Sequence, residues 1–107
     1  MITIDDFAKV EIRVGLVTEA VNKGGSDKLI RLTVDFGTET RIIFTGVRSY
    51  GYTPEDFANK KFLFVTNLEY KKMLDEESQG MILAVDSTEG KPIFVETPNL
   101  PIESKVR

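Results

Sequence analysis

At 107 residues, with 41% hydrophobic and 29% charged side chains, the chain suffices for one domain with a modest core. It contains neither cysteine nor histidine, which excludes disulfides, thiolate metal sites and the Ser-His-Asp and Cys-His forms of nucleophilic catalysis. A net charge of −3 works weakly against a nucleic-acid partner, although cations clustered on one face count for more than the total.

In chain order, Thr3 reads as a cap for a short turn in which Asp5 and Asp6 suit the positive end. Val10, Ile12 and Val14 then alternate with Lys9, Glu11 and Arg13, the period of a strand with one buried face. Gly15 interrupts the pattern and predicts a bulge that bends this strand, which continues from Leu16 to Val21. Asn22 to Asp27, with Gly24-Gly25, is a loop. Leu29 to Phe36 is the second strand, with Ile30, Leu32, Val34 and Phe36 on one face and Arg31, Thr33 and Asp35 on the other. Gly37-Thr38 turns the chain into a third strand, Arg41 to Val47. Thr53, Pro54, Glu55 and Asp56 give a cap, a first-position proline and an acidic first turn, so a short helix starts here and ends before Lys60-Lys61. The fourth strand is Phe62 to Leu68 and the fifth Met81 to Val85. Ser87 to Gly90 turns into an extra strand, Pro92 to Glu96, and the proline-bearing tail 98–101 is extended. The phenylalanines at 36, 44, 62, 64 and 94 fall at strand spacing and read as core and interface.

Three strands, a short helix and two further strands is the order of an OB-fold. The expectation is therefore an all-β, five-stranded OB-fold barrel over residues 1–107, with one short helix between the third and fourth strands and N- and C-terminal additions. That fold binds oligonucleotides on strands two and three and on the loops joining strands one to two and four to five. Here those loops are 22–28 and 69–79. The second exceeds the two to five residues usual for a hairpin and carries Lys71, Lys72 and Ser78 before Gly80, a composition more often functional than structural. Lys28, Arg31, Arg41, Lys71 and Lys72 form the candidate cationic patch. Alternating charge on a strand is ordinary, so Arg31 and Arg41 read equally well as solvated outer-face residues, and Met81 equally well as core. No calcium-loop spacing occurs among the 17 acids, and no metal or other cofactor is expected. No catalytic constellation is visible, so the chain is not expected to be an enzyme. No apolar run approaches the ~20 residues of a membrane span. The first residues lack the basic-then-apolar order of a signal peptide. A cytoplasmic protein without membrane contact is expected.

The strongest single stretch is Asn67-Leu68-Glu69-Tyr70-Lys71-Lys72-Met73-Leu74-Asp75-Glu76-Glu77-Ser78-Gln79-Gly80-Met81. It resembles the signature of the small tRNA-binding domain found alone or appended to methionyl-tRNA synthetase. The segments 2–15, 25–35, 52–57 and 104–107 are similar to other parts of that family, in the same order and spacing. The resemblance implies an OB-fold homodimer that binds tRNA by shape near its outer corner. It implies RNA contact by Lys28, Arg31, Arg41, Asn67, Lys71, Lys72, Ser78 and Met81. It also implies partners beyond tRNA and a second copy: methionyl-tRNA synthetase, or unfolded and exported polypeptides, since some relatives are chaperone-like dimers. Apolar residues in the terminal additions, among them Phe7, Ile93, Val95, Leu100 and Ile102, fit pairing of two copies.

The chain departs from the family's usual pattern at three places. Glu69-Tyr70-Lys71-Lys72 stands where Lys-Pro-Arg-Lys is usual, Asp75-Glu76 replaces a glycine and an apolar residue, and Leu16 replaces a basic residue. Loop 69–79 thus holds Glu69, Asp75, Glu76 and Glu77 against two lysines, which predicts weakened tRNA binding. Stacking of Tyr70 on a base, worth ~1–3 kcal/mol, offsets part of that loss.

Overall fold

A computed structural model describes all 107 residues. The chain opens with α1, Ile4–Ala8, whose Thr3 hydroxyl accepts from the Asp6 amide while the Asp6 carboxylate accepts from the Thr3 amide. This reciprocal capping box satisfies two otherwise orphaned amides and makes a five-residue helix possible. The long strand β1, Ile12–Asn22, follows, then β2, Ile30–Asp35, and β3, Thr40–Thr45. Between β3 and β4, Lys61–Val65, the predicted helix is a single 3-10 turn, Pro54–Asp56, again closed by a Thr53–Asp56 capping box. The Asp56 amide reaches back to the Thr53 carbonyl and the Phe57 amide to Pro54, so the chain re-enters the barrel after one turn.

Connection 69–79 is not an open loop. It folds as a small hairpin of β5, Lys71–Met73, and β6, Glu76–Ser78, turned at Leu74 with a positive φ of 62°. The predicted fifth strand is split: β7, Met81–Ile82, pairs with β4, whereas β8, Ala84–Asp86, pairs with β9, Pro92–Phe94.

The main sheet has the order β3-β2-β1-β4-β7, antiparallel throughout. Strand β1 serves both halves: residues 12–16 pair with β4 and residues 16–22 with β2. The barrel is sealed between β3 and the β6–β7 junction by one backbone bond and by the side chains of Ser78 and Gln79. The Gln79 backbone N–H donates to the Ile42 carbonyl, and the Gln79 side-chain Oε1 accepts from the Ile42 backbone N–H, both at 2.8 Å. The Ser78 hydroxyl accepts from the Phe44 amide at 3.0 Å and donates to the Gly80 carbonyl at 3.1 Å.

The predicted apolar stripe of β2 lies inside: Ile30, Leu32, Val34 and Phe36 are each fully buried, joined by Val17, Ile43, Phe57, Phe62, Phe64 and Ile82. Phe36 meets Phe64 edge-on at 5.5 Å. The bulge expected at Gly15 falls instead between Val17 and Glu19. Gly15 has a different role. A Cβ there would stand 2.6 Å from Val34, 2.7 Å from Phe36 and 3.0 Å from Phe64, so the missing side chain lets three core residues close over the strand.

The terminal additions are tied to this frame. The C-terminal segment lies along the start of β1 through Val14 to Ser104, Glu103 to Val14 and Val106 to Ile12 backbone bonds, each 2.9 Å. The buried Arg13 guanidinium faces Glu11 at 2.9 Å, Glu39 at 3.4 Å and Glu103 at 4.0 Å, and covers the Phe36 ring at 5.0 Å. Three carboxylates around one cation balance its burial and join β1, the β2–β3 turn and the tail.

Candidate nucleic-acid interface

Loop 23–29 and the β5–β6 hairpin meet over the outer surface of β2 and β3. Lys23 bridges them: its ammonium lies 2.7 Å from Asp75 and 2.7 Å from Glu76. Glu76 also takes the Arg31 guanidinium of β2 at 3.0 Å. The hydrogen bonds from Lys23 hold the Asp75 carboxyl below its usual range. Arg31, followed by Lys23, does the same for Glu76. The same two carboxylates hold the Lys23 ammonium above its usual range. The two acids that depart from the family pattern therefore neutralise cations on the neighbouring strand and loop.

The eight residues singled out from sequence separate by what their side chains already do. Ser78 is buried, and its hydroxyl is committed to Phe44 and Gly80. Asn67 pins the N-terminal segment, accepting from the Glu11 amide at 2.8 Å and donating to the Lys9 carbonyl at 2.6 Å. Arg41 holds Glu39 at 2.7 Å and donates to the carbonyls of Thr66 and Gln79, so it clamps the barrel seam. The Glu39 hydrogen bond keeps the Arg41 guanidinium firmly charged and, reciprocally, the Glu39 carboxyl below its usual range. Arg31 is held by Glu76. Lys28, Lys71 and Lys72 are exposed and have no carboxylate within ion-pair distance. Met81 is 47% exposed and lies on the rim of a groove rather than in the core.

That groove has a volume of about 260 Å³ and is lined by Phe44, Leu68, Met73, Ser78, Gly80 and Met81, with Glu69 and Lys71 supplying its charged groups. Phe44 is buried, as its strand spacing predicted, and also lines this groove; sequence reasoning counted Glu69 only as a charge opposing RNA and gave Leu68 and Met73 no role in the site. The hairpin register brings in Lys71 and Met73: Lys71 faces Ser78 and Met73 faces Glu76, while Lys72 pairs with Glu77 on the opposite face. Within Ser78-Gln79-Gly80-Met81, Ser78 and Gln79 seal the barrel, and a Cβ at Gly80 would stand 2.8 Å from the Val65 carbonyl. Only Met81 of the four presents its side chain to the groove from an exposed position.

Fold and site together define a small OB-fold barrel whose β1–β2 and β4–β7 connections converge over one face. The family model described as "Putative tRNA binding domain" matches residues 12–104. The chain belongs to that tRNA-binding domain family. It is 39% identical over 106 residues to methionine–tRNA ligase of Pyrococcus horikoshii, covering 99% of this chain and 14% of that protein. Among solved structures, a MetRS-related protein from Pyrococcus horikoshii matches with a TM-score of 0.94 at 39% identity, over 100% of this chain and 98% of the other. Chaperone CsaA from Bacillus anthracis strain Ames matches with a TM-score of 0.86 at 24% identity, over 100% and 99%. That last likeness concerns the fold alone. The chain spans only 14% to 16% of the length of the methionine–tRNA ligases it matches.

Proposed function

We propose that residues 1–107 act as a non-catalytic, cytoplasmic module that holds tRNA by its shape and backbone, alone or attached to methionyl-tRNA synthetase. The observation that carries this reading is the convergence of loop 23–29 and the β5–β6 hairpin over β2 and β3, with Lys28, Lys71 and Lys72 uncompensated. Lysines of this kind make salt-sensitive phosphate contacts without reading sequence. Arg31 and Lys23 form a reserve that a phosphate reaches only in competition with Glu76 and Asp75. Ser78, Asn67 and Arg41 support the interface by fixing its frame, since their polar groups are engaged within the protein. A gel shift with bulk tRNA tests the reading: binding at ~50 mM salt that weakens at ~200 mM is expected. No shift at the lower salt would reject it.

The module works as a homodimer in this reading. A groove of about 380 Å³ between α1 and the tail is lined by Ile4, Phe7, Ala8, Val10, Val106 and Arg107, and Ile4 in its wall is mostly exposed, as is Ile2. Contiguous apolar surface of this kind is ordinarily covered, and a second copy is the occupant assigned. Light scattering should give twice the 12.0 kDa chain mass at micromolar concentration; a monomer would contradict the pairing. A protein-binding role on the same fold is the second reading, favoured by this apolar face and by the acids of the hairpin. Binding of an unfolded polypeptide in the absence of any tRNA binding would select it.

A further inference from the structure

The groove beneath the β5–β6 hairpin combines three features that match one kind of ligand. Its walls are apolar: Leu68 and Met81 leave 45% and 47% of their surface in solvent, and Phe44 and Met73 lie further in. Lys71 and Glu69, one cation and one carboxylate, also line it. Neither charge is committed to an ion pair. At about 260 Å³ the space is below the ~300–1,000 Å³ of sites for drug-sized molecules. A single unstacked nucleotide offers the complementary set: a flat apolar face, a phosphate, and a polar base edge.

We infer that this groove binds one unpaired nucleobase, with a preference for guanine. The inference rests on the RNA-binding reading and names what that interface selects. The base face packs on Met81 and Leu68, and Lys71 takes the adjoining phosphate. Glu69 decides the identity of the base. A carboxylate only accepts hydrogen bonds, and its two oxygens can take a bidentate donor. Guanine presents two adjacent donors, the ring N–H and the amino group, on its Watson–Crick edge. Adenine and cytosine present one amino donor beside a ring nitrogen acceptor. Uracil sets its single N–H between two carbonyls that repel a carboxylate. The alternation of β5 places Lys71 and Met73 on the groove side and Lys72 away from it, so only the first lysine belongs to the base site.

The test is fluorescence titration of the intact protein with heptauridine and with the same oligonucleotide bearing one central guanosine, adenosine or cytidine. Guanosine should tighten binding about tenfold over uridine, the lower end of what a bidentate pair discriminates. Glu69→Gln should remove most of that ratio, because an amide supplies one acceptor and one donor where two acceptors are needed. The ratio of oligonucleotides cancels the general gain from deleting a negative charge. Lys72→Ala should weaken all four equally and keep the preference. Met81→Ala should weaken the guanosine, adenosine and cytidine oligonucleotides alike. Equal binding of all four, or a guanosine preference that survives Glu69→Gln, would overturn the inference. Base indifference with intact bulk-tRNA binding removes only the base site. Absence of both, with binding of a permanently unfolded polypeptide, removes the RNA reading as well.

Discussion

Asp75 and Glu76 occupy cations that an RNA phosphate would otherwise use, and removing them should raise affinity in two steps. Glu76→Gln frees Arg31, its 3.0 Å partner, but leaves Lys23 on Asp75 at 2.7 Å. Asp75→Asn with Glu76→Gln frees both. Each added phosphate contact steepens the dependence of log affinity on log salt by ~0.7–0.9. At ~0.1 M salt that is roughly fivefold to eightfold per contact, so the pair should gain up to ~25- to 60-fold. Fluorescence anisotropy with bulk tRNA at four or more salt concentrations reads both quantities. The single variant should steepen the slope by about one contact and the double by about two. An unchanged slope in the double variant would show that Lys23 and Arg31 do not reach phosphate, and would refute the competition.

The same ion pairs set a pH dependence of folding. Asp75 and Glu76 are held below their ordinary values of 3.8 and 4.5, so their contribution is present above that range and lost as pH falls through the lowered values. Lys23 is held above 10.5, so its contribution is complete below 10.5 and lost as pH rises through the raised value. The double variant should therefore show a flatter urea midpoint at both extremes, and a curve parallel to the parent protein would contradict this. Ser78→Ala strips the buried Phe44 amide of its acceptor and should cost ~1–3 kcal/mol in chemical denaturation without altering the salt slope of binding. Gly15→Ala inserts a methyl within 2.7 Å of Val34 and Phe36 and should destabilise by ~1–3 kcal/mol; a change under ~0.5 kcal/mol would mean the core yields there.

The parts of the fold legible in the sequence were those written in local chemistry. Alternation from Ile30 to Phe36 gave the inner face of β2, and a threonine cap followed by acids marked both capped turns. Gly15 shows the limit of local reading. A glycine in a strand signals either a bulge or a close approach, and only the positions of Val34, Phe36 and Phe64 decide between them. The β5–β6 hairpin was invisible because its three-residue strands, Lys-Lys-Met and Glu-Glu-Ser, carry no apolar alternation. Its fold depends on partners far away in sequence, such as Lys23 with Glu76, which are 53 residues apart. The candidate site was half legible for the same reason. Residue type identified Lys28, Lys71 and Lys72, but type alone cannot tell a free arginine from one held by Glu76 or Glu39. Nor did it show that Phe44, Glu69 and Met73 share a groove.

The central claim is that Lys28, Lys71 and Lys72 hold tRNA through its backbone, and the salt exponent of binding tests it most directly. Three phosphate contacts per protomer predict a slope of roughly −2 to −3, or a ~20- to 40-fold loss between ~50 and ~200 mM salt. Replacing Lys71 and Lys72 by alanine should bring the slope to about −1 for unrelated tRNAs alike. A slope near zero in the parent protein, or one indifferent to the two lysines, would contradict the account.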